Sequence, residues 1–258
     1  MQEEAIGNNI IMNEKHLDDL VSYLKFPSVS TDSHYKENVR DCAEWLSSKI
    51  DEVGLEASIH ETPGHPIVIG KNKHSEDKPT VMIYGHYDVQ PADPIDLWDS
   101  PPFEPLIKDG KIYARGSTDN KGQHLAHLLG LGETLSENGD LPVNIIYLVE
   151  GEEEIGSPNL EPFLIENKED LDCDVIAVSD TGMIGPGMGT FTYGLRGVAC
   201  MEVKVIGPSK DLHSGVFGGA VANPCTAISK MISSLHDLDG RIKVCLLYTS
   251  DAADDVEC

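Results

Sequence analysis

The stretch PTVMIYGHYDV, residues 79–89, decides the predicted fold. It is apolar and rich in β-branched residues up to Gly85, and it turns polar after that glycine. This pattern is typical of a buried strand that reaches the surface at its carboxyl end. Two more runs have the same form: LPVNIIYLV (141–149) precedes EGEEEIGS, and DVIAV (174–178) precedes Ser179 and Asp180. We therefore predict three buried strands with polar groups at their carboxyl ends.

Helical patterns alternate with these strands. Apolar residues recur at helical spacing in four segments, residues 14–25, 36–53, 120–136 and 159–166. Shorter strands are predicted near residues 57–60, 67–69 and 112–113. Alternating strands and helices favour a layered α/β domain.

The composition of the sequence changes after Asp180, where glycine becomes frequent and apolar residues suited to a core become rare. We place a domain boundary near residue 188. Beyond this boundary, the alternation of apolar and polar residues over 198–205 predicts a half-exposed strand. The pattern over residues 222–235 predicts an amphipathic helix. Residues 245–258 have no clear hydrophobic period and no helix-capping residue, and they resemble the translation of a sequencing adapter. We expect them to be a non-native tail, with an ordinary acidic tail as the alternative.

The composition excludes several classes of function. Among 258 residues there are 44 acidic residues against 19 Lys and Arg, a formal net charge of −25. This charge argues against nucleic acid and anionic membrane surfaces as partners, since both attract basic proteins. No apolar run reaches the roughly 18 residues of a membrane-spanning helix. The N-terminus lacks signal-peptide features, and six scattered cysteines without a CxxC pair favour a reduced, cytoplasmic protein.

The polar groups at the predicted strand ends indicate a metal site. His86 and Asp88 follow the first strand, a run of glutamates at 150–154 surrounds the end of the second, and Asp180 follows the third. Asp119 stands before a predicted helix. Taken singly, Asp119 could be an N-cap and the glutamates a solvated turn. In an open α/β sheet these groups converge, and so many carboxylates repel one another unless a cation neutralises them. Histidine and carboxylate ligands suit zinc, with manganese or cobalt as alternatives, and more than four ligands suggest two ions.

The sequence resembles the di-zinc metallopeptidases of clan MH, which include carnosine dipeptidases, acyl-amino-acid deacylases and glutamate carboxypeptidases. The resemblance extends from about residue 15 to residue 244. It is carried in family order by six motifs: GHYDVQP (85–91), LWDSPPFEP (97–105), YARGSTDNKGQ (113–123), EGEEEIGS (150–157), SDTG (179–182) and LHSGVFGGAVANP (212–224). The first two motifs are most similar to the dipeptidase branch.

The resemblance implies a fold. It is an α/β fold with a zinc-peptidase-type catalytic domain, built from a layered mixed sheet and flanking helices. The start of an inserted α+β lid or dimerisation domain follows. We assign residues 1–187 to the catalytic domain and residues 188–244 to part of the lid.

The resemblance also implies a ligand set for the metals. His86, Asp119 and Asp180 would bind the first ion, and Asp119 would bridge to a second ion held by Glu154. Asp88 would orient His86.

Glu153 is the general base that the resemblance implies, and it would take the proton of a metal-bridged water during peptide hydrolysis. His213 would reach the developing oxyanion of the substrate across a homodimer formed by the lid. Three consecutive acids leave the register of the cluster open, and in this register Glu150 and Glu152 are structural or surface acids.

The chain lacks one residue that the family pattern requires. The second metal needs a histidine that in the family lies far beyond residue 244, and His236 stands in the predicted lid helix. We therefore expect an N-terminal fragment of a dipeptidase about twice as long, inactive by itself. Its sheet would lack strands, which would leave apolar faces and edges open.

Three alternatives remain open. An N-acyl-amino-acid deacylase has the same fold. A non-catalytic metal-binding or assembly module would have no need of Glu153. A plain acidic scaffold would bind no zinc.

Overall fold

The structure is a computed structural model that describes residues 13–185, 187–198 and 200–244. It separates into two compact units, with the division between Thr190 and Phe191. The predicted non-native tail, residues 245–258, lies outside the described residues.

The first unit contains four helices and seven strands in its described part. Its helices are α1 (Glu14–Leu24), α2 (Lys36–Glu52), α3 (Lys121–Asn138) and α4 (Leu160–Glu166). Its strands are β1 (Glu56–His60), β2 (Ile67–Lys71), β3 (Thr80–His86), β4 (Leu106–Lys108), β5 (Lys111–Tyr113), β6 (Asn144–Glu150) and β7 (Val175–Val178). The predicted helices and strands of this unit are confirmed to within a few residues, whereas β4 was not predicted.

Five strands form one mixed sheet in the order β1-β2-β6-β3-β7. Strand β2 runs antiparallel to both of its neighbours, β1 and β6, while β6, β3 and β7 are parallel to one another. The register pairs His86 with Glu150, so β3 and β6 end side by side. This parallel half of the sheet brings the carboxyl ends of the three predicted strands to one edge, as the sequence predicted.

Helices cover both faces of the sheet, because alternate residues of each strand point to opposite faces. On one face α2 packs its predicted stripe, which includes Leu46 and Ile50, together with residues of α1 and α3. On the other face Phe163 of α4 and Leu171 pack against strand residues such as Ile146. Each fully buried aliphatic side chain contributes about 1.5–3 kcal/mol to stability. The layered α/β architecture is therefore confirmed.

Strand β7 differs from the prediction of a third buried strand. Its side chains are exposed, with 56 % for Val175 and 53 % for Val178. Within the described residues it pairs only with β3, so it forms the open edge of the sheet. Its apolar sequence predicted burial, but a strand is buried only where other elements cover it.

The second unit contains two described helices, α5 (Ser214–Phe217) and α6 (Pro224–Ser234). The side chain of Asn223 caps α6 by accepting a hydrogen bond from the backbone N–H of Cys225, and Pro224 occupies the first turn, where its missing N–H costs nothing. The helix predicted over 222–235 is thus confirmed. The strand predicted over 198–205 is wrong for the described residues of that range, which have no strand pairing. Alternation alone cannot form a strand without a hydrogen-bonding neighbour.

Two further features bear on the compositional predictions. The four cysteines in the described ranges, Cys42, Cys173, Cys200 and Cys225, are free. None of the helices in these ranges combines the length and the apolar character that a membrane crossing requires.

Candidate metal centre

His86 lies at the carboxyl end of β3, and its imidazole is fully buried. Its Nδ1 lies 3.0 Å from the backbone oxygen of Asp88 and 3.3 Å from Oδ1 of the same residue. A hydrogen bond from Nδ1–H to either oxygen fixes the tautomer in which Nε2 carries a free lone pair. The structure thus places Asp88 in contact with His86, through its backbone as well as its carboxylate.

A first group of donors forms around His86 Nε2. Oδ1 of Asp119 lies 3.1 Å from this nitrogen, and Oδ2 of Asp180 lies 3.5 Å from it. Asp119 stands two residues before α3, and Asp180 stands two residues after β7. These three residues offer ligand atoms that all lie within 4.8 Å of one another. Residues separated by 94 positions in the sequence therefore face a single point, because β3 and β7 end, and α3 begins, at the same edge of the sheet.

A second group joins the same histidine to the glutamate cluster. One ligand atom each from His86, Glu153 and Glu154 also lie within 4.8 Å of one another, and Oε2 of Glu153 is 4.0 Å from His86 Nε2. The carboxylate of Asp88 accepts hydrogen bonds from the backbone N–H groups of Glu153 and Glu154, at 3.2 and 3.1 Å. Asp88 therefore holds the short 3₁₀ turn that presents both glutamates.

The neighbouring acids of the cluster point elsewhere. Glu152 is buried, and it accepts hydrogen bonds from the backbone N–H of His65 at 3.1 Å and from Asn159 Nδ2 at 2.7 Å. Glu150 is also buried, and its Oε1 accepts from the hydroxyls of Tyr84 and Ser157. This geometry favours the register in which Glu153 and Glu154 face His86, and it makes Glu150 and Glu152 structural rather than surface acids.

The electrostatics of the cluster reflect its crowding. Burial lowers the pKa of His86, but Asp88, Asp180 and Glu153 outweigh burial and raise that pKa to about 9. Burial raises the pKa values of Glu153 and Glu154, and other carboxylates of the site add to both shifts. Without a cation the site therefore attracts protons. One imidazole nitrogen and several carboxylates are a donor set that zinc, manganese or cobalt accepts, so the residues fit divalent cations.

Comparison with known proteins identifies the family. Residues 82–244, more than half of the chain, match peptidase family M20/M25/M40. The chain belongs to this family. The relationship inferred from the six motifs is thereby confirmed. M20 peptidases are metal-dependent, which agrees with the donor set of this chain.

Curated relatives in the M20 family include two kinds of dipeptidase. The chain is 36 % identical to the Cys-Gly metallodipeptidase dug1 of Schizosaccharomyces pombe, over 90 % of this chain and 52 % of that protein. It is 39 % identical to the Beta-Ala-His dipeptidase of Homo sapiens, over 72 % of this chain and 37 % of that protein. Among solved structures, human carnosine dipeptidase 1 matches with a TM-score of 0.76 at 30 % identity, over 91 % of this chain and 52 % of that chain. The chain thus spans about half the length, or less, of the relatives it matches.

Two residues of this M20 chain join the site although the sequence did not single them out. Asn120 is buried between His86 and Asp180, with a hydrogen bond to each. Gln90 donates from Nε2 to Oε2 of Glu154 at 2.7 Å. Both lie inside motifs that carry the family resemblance, and adjacency to a predicted ligand was the available signal for Asn120.

His213 lies in the second unit, where it caps α5. Its Nδ1 accepts a hydrogen bond from the backbone N–H of Gly215 at 3.0 Å. Because Nδ1 is an acceptor here, a neutral imidazole carries its proton on Nε2. The predicted role of His213 in binding substrate stays a proposal.

Proposed function

We propose that this chain is the N-terminal part of a metal-dependent dipeptidase. Residues 1–187 would form part of its catalytic domain and residues 188–244 part of a lid that pairs two subunits as a homodimer. The observation that carries the proposal is the convergence of Asp119, Asp180 and Glu153 on the single free nitrogen of His86. The names of the relatives, Cys-Gly metallodipeptidase and Beta-Ala-His dipeptidase, support short peptides as substrates.

Two divalent ions, zinc in our proposal, would occupy the site. His86, Asp119 and Asp180 would hold the first ion, and Asp119 and Glu154 would share the second. When bound, the ions supply Lewis acidity, which acidifies a bound water and polarises the scissile carbonyl. Burial is the main cause of the raised pKa of Glu153, and the bound ions would offset the smaller contribution that the neighbouring carboxylates add.

Glu153 performs the proton transfers in this proposal. Its carboxylate lies at the edge of the donor group and is only 38 % exposed, so it is shielded yet accessible to a water. It accepts the proton of the attacking water and later delivers it to the leaving amine. The carboxylate of Asp88 accepts a hydrogen bond from the backbone N–H of Glu153 and so helps to fix the position of this base.

His213 would reach across the proposed homodimer and stabilise the oxyanion of the tetrahedral intermediate. Its Nδ1 is engaged with Gly215, which leaves Nε2–H as the donor. The free cysteines support our proposal of a cytoplasmic location, where thiols stay reduced.

The experiment compares two substitutions, Glu153→Gln and, as a control, Glu161→Gln at an exposed position of α4. Both are made in the proposed longer protein, in which its own coding sequence replaces residues 245–258 after Val244. Bound zinc is measured by elemental analysis, and hydrolysis is measured with Cys-Gly, β-Ala-His and an N-acetyl amino acid. We expect Glu153→Gln to keep zinc and to lose hydrolysis by about 10²-fold or more. The 258-residue chain alone is expected to bind metal without hydrolysing peptides.

Three outcomes contradict parts of the proposal. Full activity of Glu153→Gln contradicts the role of Glu153 as the base. Hydrolysis confined to the N-acetyl amino acid favours a deacylase. Absence of zinc from the unsubstituted protein contradicts the metal site itself.

A further inference from the structure

The end of β7 is held less firmly by the sheet than the end of β3. Strand β3 pairs with β6 as far as His86, whereas the pairing of β3 with β7 ends at Tyr84 and Val178. Asp180 therefore lies two residues beyond the last paired residue of an exposed edge strand. Because the sheet does not fix Asp180, other contacts have to hold its carboxylate near His86.

Asn120 provides such contacts. Its side chain is buried, with 1 % of the residue exposed. Oδ1 accepts a hydrogen bond from the backbone N–H of His86 at 3.3 Å, and Nδ2 donates to Oδ1 of Asp180 at 3.1 Å. Nδ2 also lies 3.4 Å from the backbone oxygen of Ser179. One amide group thus spans the ends of β3 and β7.

The chemistry of these contacts requires an amide in this orientation. A rotated amide would place NH₂ against the N–H of His86 and its oxygen against the carboxylate of Asp180, which is unfavourable on both sides. A carboxylate in place of Asn120 would offer no donor to Asp180. The contact to His86 also orients the backbone from which the imidazole projects.

His127 supports the same segment from the next turns of α3. Its Nε2 lies 2.6 Å from the hydroxyl oxygen of Ser179, the residue before Asp180. Asn120 and His127 are seven positions apart, so they lie on one face of the helix. Two residues on this face therefore contact Ser179 and Asp180.

The first turns of α3 are themselves anchored in the core. The buried Lys121 donates from Nζ to the backbone oxygen of Phe26 at 2.8 Å. The buried His124 contacts the hydroxyls of Tyr23 and Tyr147. The start of α3 is therefore held in place by buried contacts, and Asn120 and His127 contact the end of β7 from it.

We propose that Asn120 and His127 are positioning residues that set Asp180 at the correct distance from His86 for the first metal ion. Asn120 does this through its amide, and His127 acts through Ser179. The proposal rests on the proposed metal site, but it concerns residues that do not bind the metal themselves. Contacts of this kind typically change metal affinity about 10–100-fold when removed.

The test is a Co²⁺ titration of the 258-residue chain, because the visible absorption of Co²⁺ reports the geometry of its ligands. Affinity is measured by competition with a chelator. The variants are Asn120→Ala and Asn138→Ala, the second being an exposed asparagine at the end of the same helix. We expect Asn120→Ala to weaken the first Co²⁺ about 10-fold or more and to change its spectrum. Asn138→Ala should match the unsubstituted chain in both respects. An Asn120→Ala affinity within about twofold of the unsubstituted chain overturns the proposal for Asn120.

A second pair of variants decides the outcome if circular dichroism shows that Asn120→Ala does not fold. His127→Ala should weaken Co²⁺ binding, and His127→Gln, which keeps a side-chain donor, should restore it. Unchanged binding in His127→Ala overturns the proposal in that case. If the unsubstituted chain binds no Co²⁺, both this proposal and the proposed metal site are overturned. If it binds Co²⁺ and the variants bind equally well, only the positioning role fails.

Discussion

Gly85, the residue before His86, is the position where an added methyl group tests the packing of the site most directly. A Cβ at this position would lie 2.6 Å from Cβ of His124 and 2.8 Å from Oδ1 of Asn120. Carbon atoms pack best at about 3.5–4.0 Å, so Gly85→Ala requires α3 and β3 to separate by about 1 Å. The first of these atoms is the Cβ of a buried residue of α3, and the second belongs to a buried amide that is held by hydrogen bonds to His86 and Asp180. We therefore expect a loss of about 1–3 kcal/mol in the free energy of unfolding.

Gly130→Ala is the matched control on α3. A Cβ at Gly130 meets nothing within 4 Å, and the residue is exposed in the helix interior. Alanine is favoured over glycine in such a position by roughly 0.5–1 kcal/mol. The two substitutions add the same methyl group and are expected to change stability in opposite directions.

Urea unfolding with EDTA present measures both effects without a contribution from metal. Tryptophan fluorescence is a suitable signal, since Trp45 and Trp98 both belong to the first unit. With a urea slope of about 2 kcal/mol per molar, Gly85→Ala should lower the midpoint by about 0.5–1.5 M. A midpoint for Gly85→Ala equal to or above that of the unsubstituted chain would refute the close contact between β3 and α3.

Two further predictions concern buried titratable groups. Burial holds the pKa of His124 well below its usual range. The contacts of neutral His124 with Tyr23 and Tyr147 therefore contribute fully to the free energy of unfolding above about pH 6.5. This contribution is lost as the pH falls below that value. In urea unfolding, the loss of stability caused by His124→Gln should therefore become smaller between pH 6.5 and pH 5, by at most about 1.4 kcal/mol per pH unit. A difference between the two proteins that does not change with pH contradicts this prediction. Burial also raises the pKa of Glu150, so its contribution to stability is present below its ordinary value of 4.5 and is lost as the pH rises through the raised value. Glu150→Gln keeps an oxygen for the hydroxyl of Tyr84, and its melting temperature should rise relative to the unsubstituted chain between pH 4.5 and pH 8; a relative fall contradicts this.

The predicted and observed structures differ where a neighbouring element decides the outcome. The alternation over 198–205 has the strand pattern, yet its described residues pair with no strand. The apolar run of β7 predicted burial, yet Val175 and Val178 are exposed at an edge. Local sequence reports the tendency of a segment to extend, whereas burial and pairing depend on residues elsewhere in the chain.

In the candidate site, too, local sequence decided some features and contacts between distant residues decided others. The residue types at the strand ends pointed to His86 and Asp180, because parallel strands bring their carboxyl ends to one edge. Asp119 was a candidate in front of a predicted helix, and the family resemblance supplied the ligand roles. The sequence left the register of the glutamates open. Hydrogen bonds from backbone N–H groups to Asp88 favour one register in the structure, since they turn Glu153 and Glu154 toward His86.

The sequence by itself determined the layered α/β fold, the family and the set of candidate ligands. These depend on hydrophobic periodicity and on short motifs, which are local and can be read along the chain. Only the tertiary structure decided which acids face His86, that Glu150 and Glu152 are buried acceptors, and that Asn120 links the ends of β3 and β7. The physical reason is that a hydrogen bond joins residues by distance and direction in space, and sequence spacing does not specify either for residues as far apart as Asn120 and Asp180.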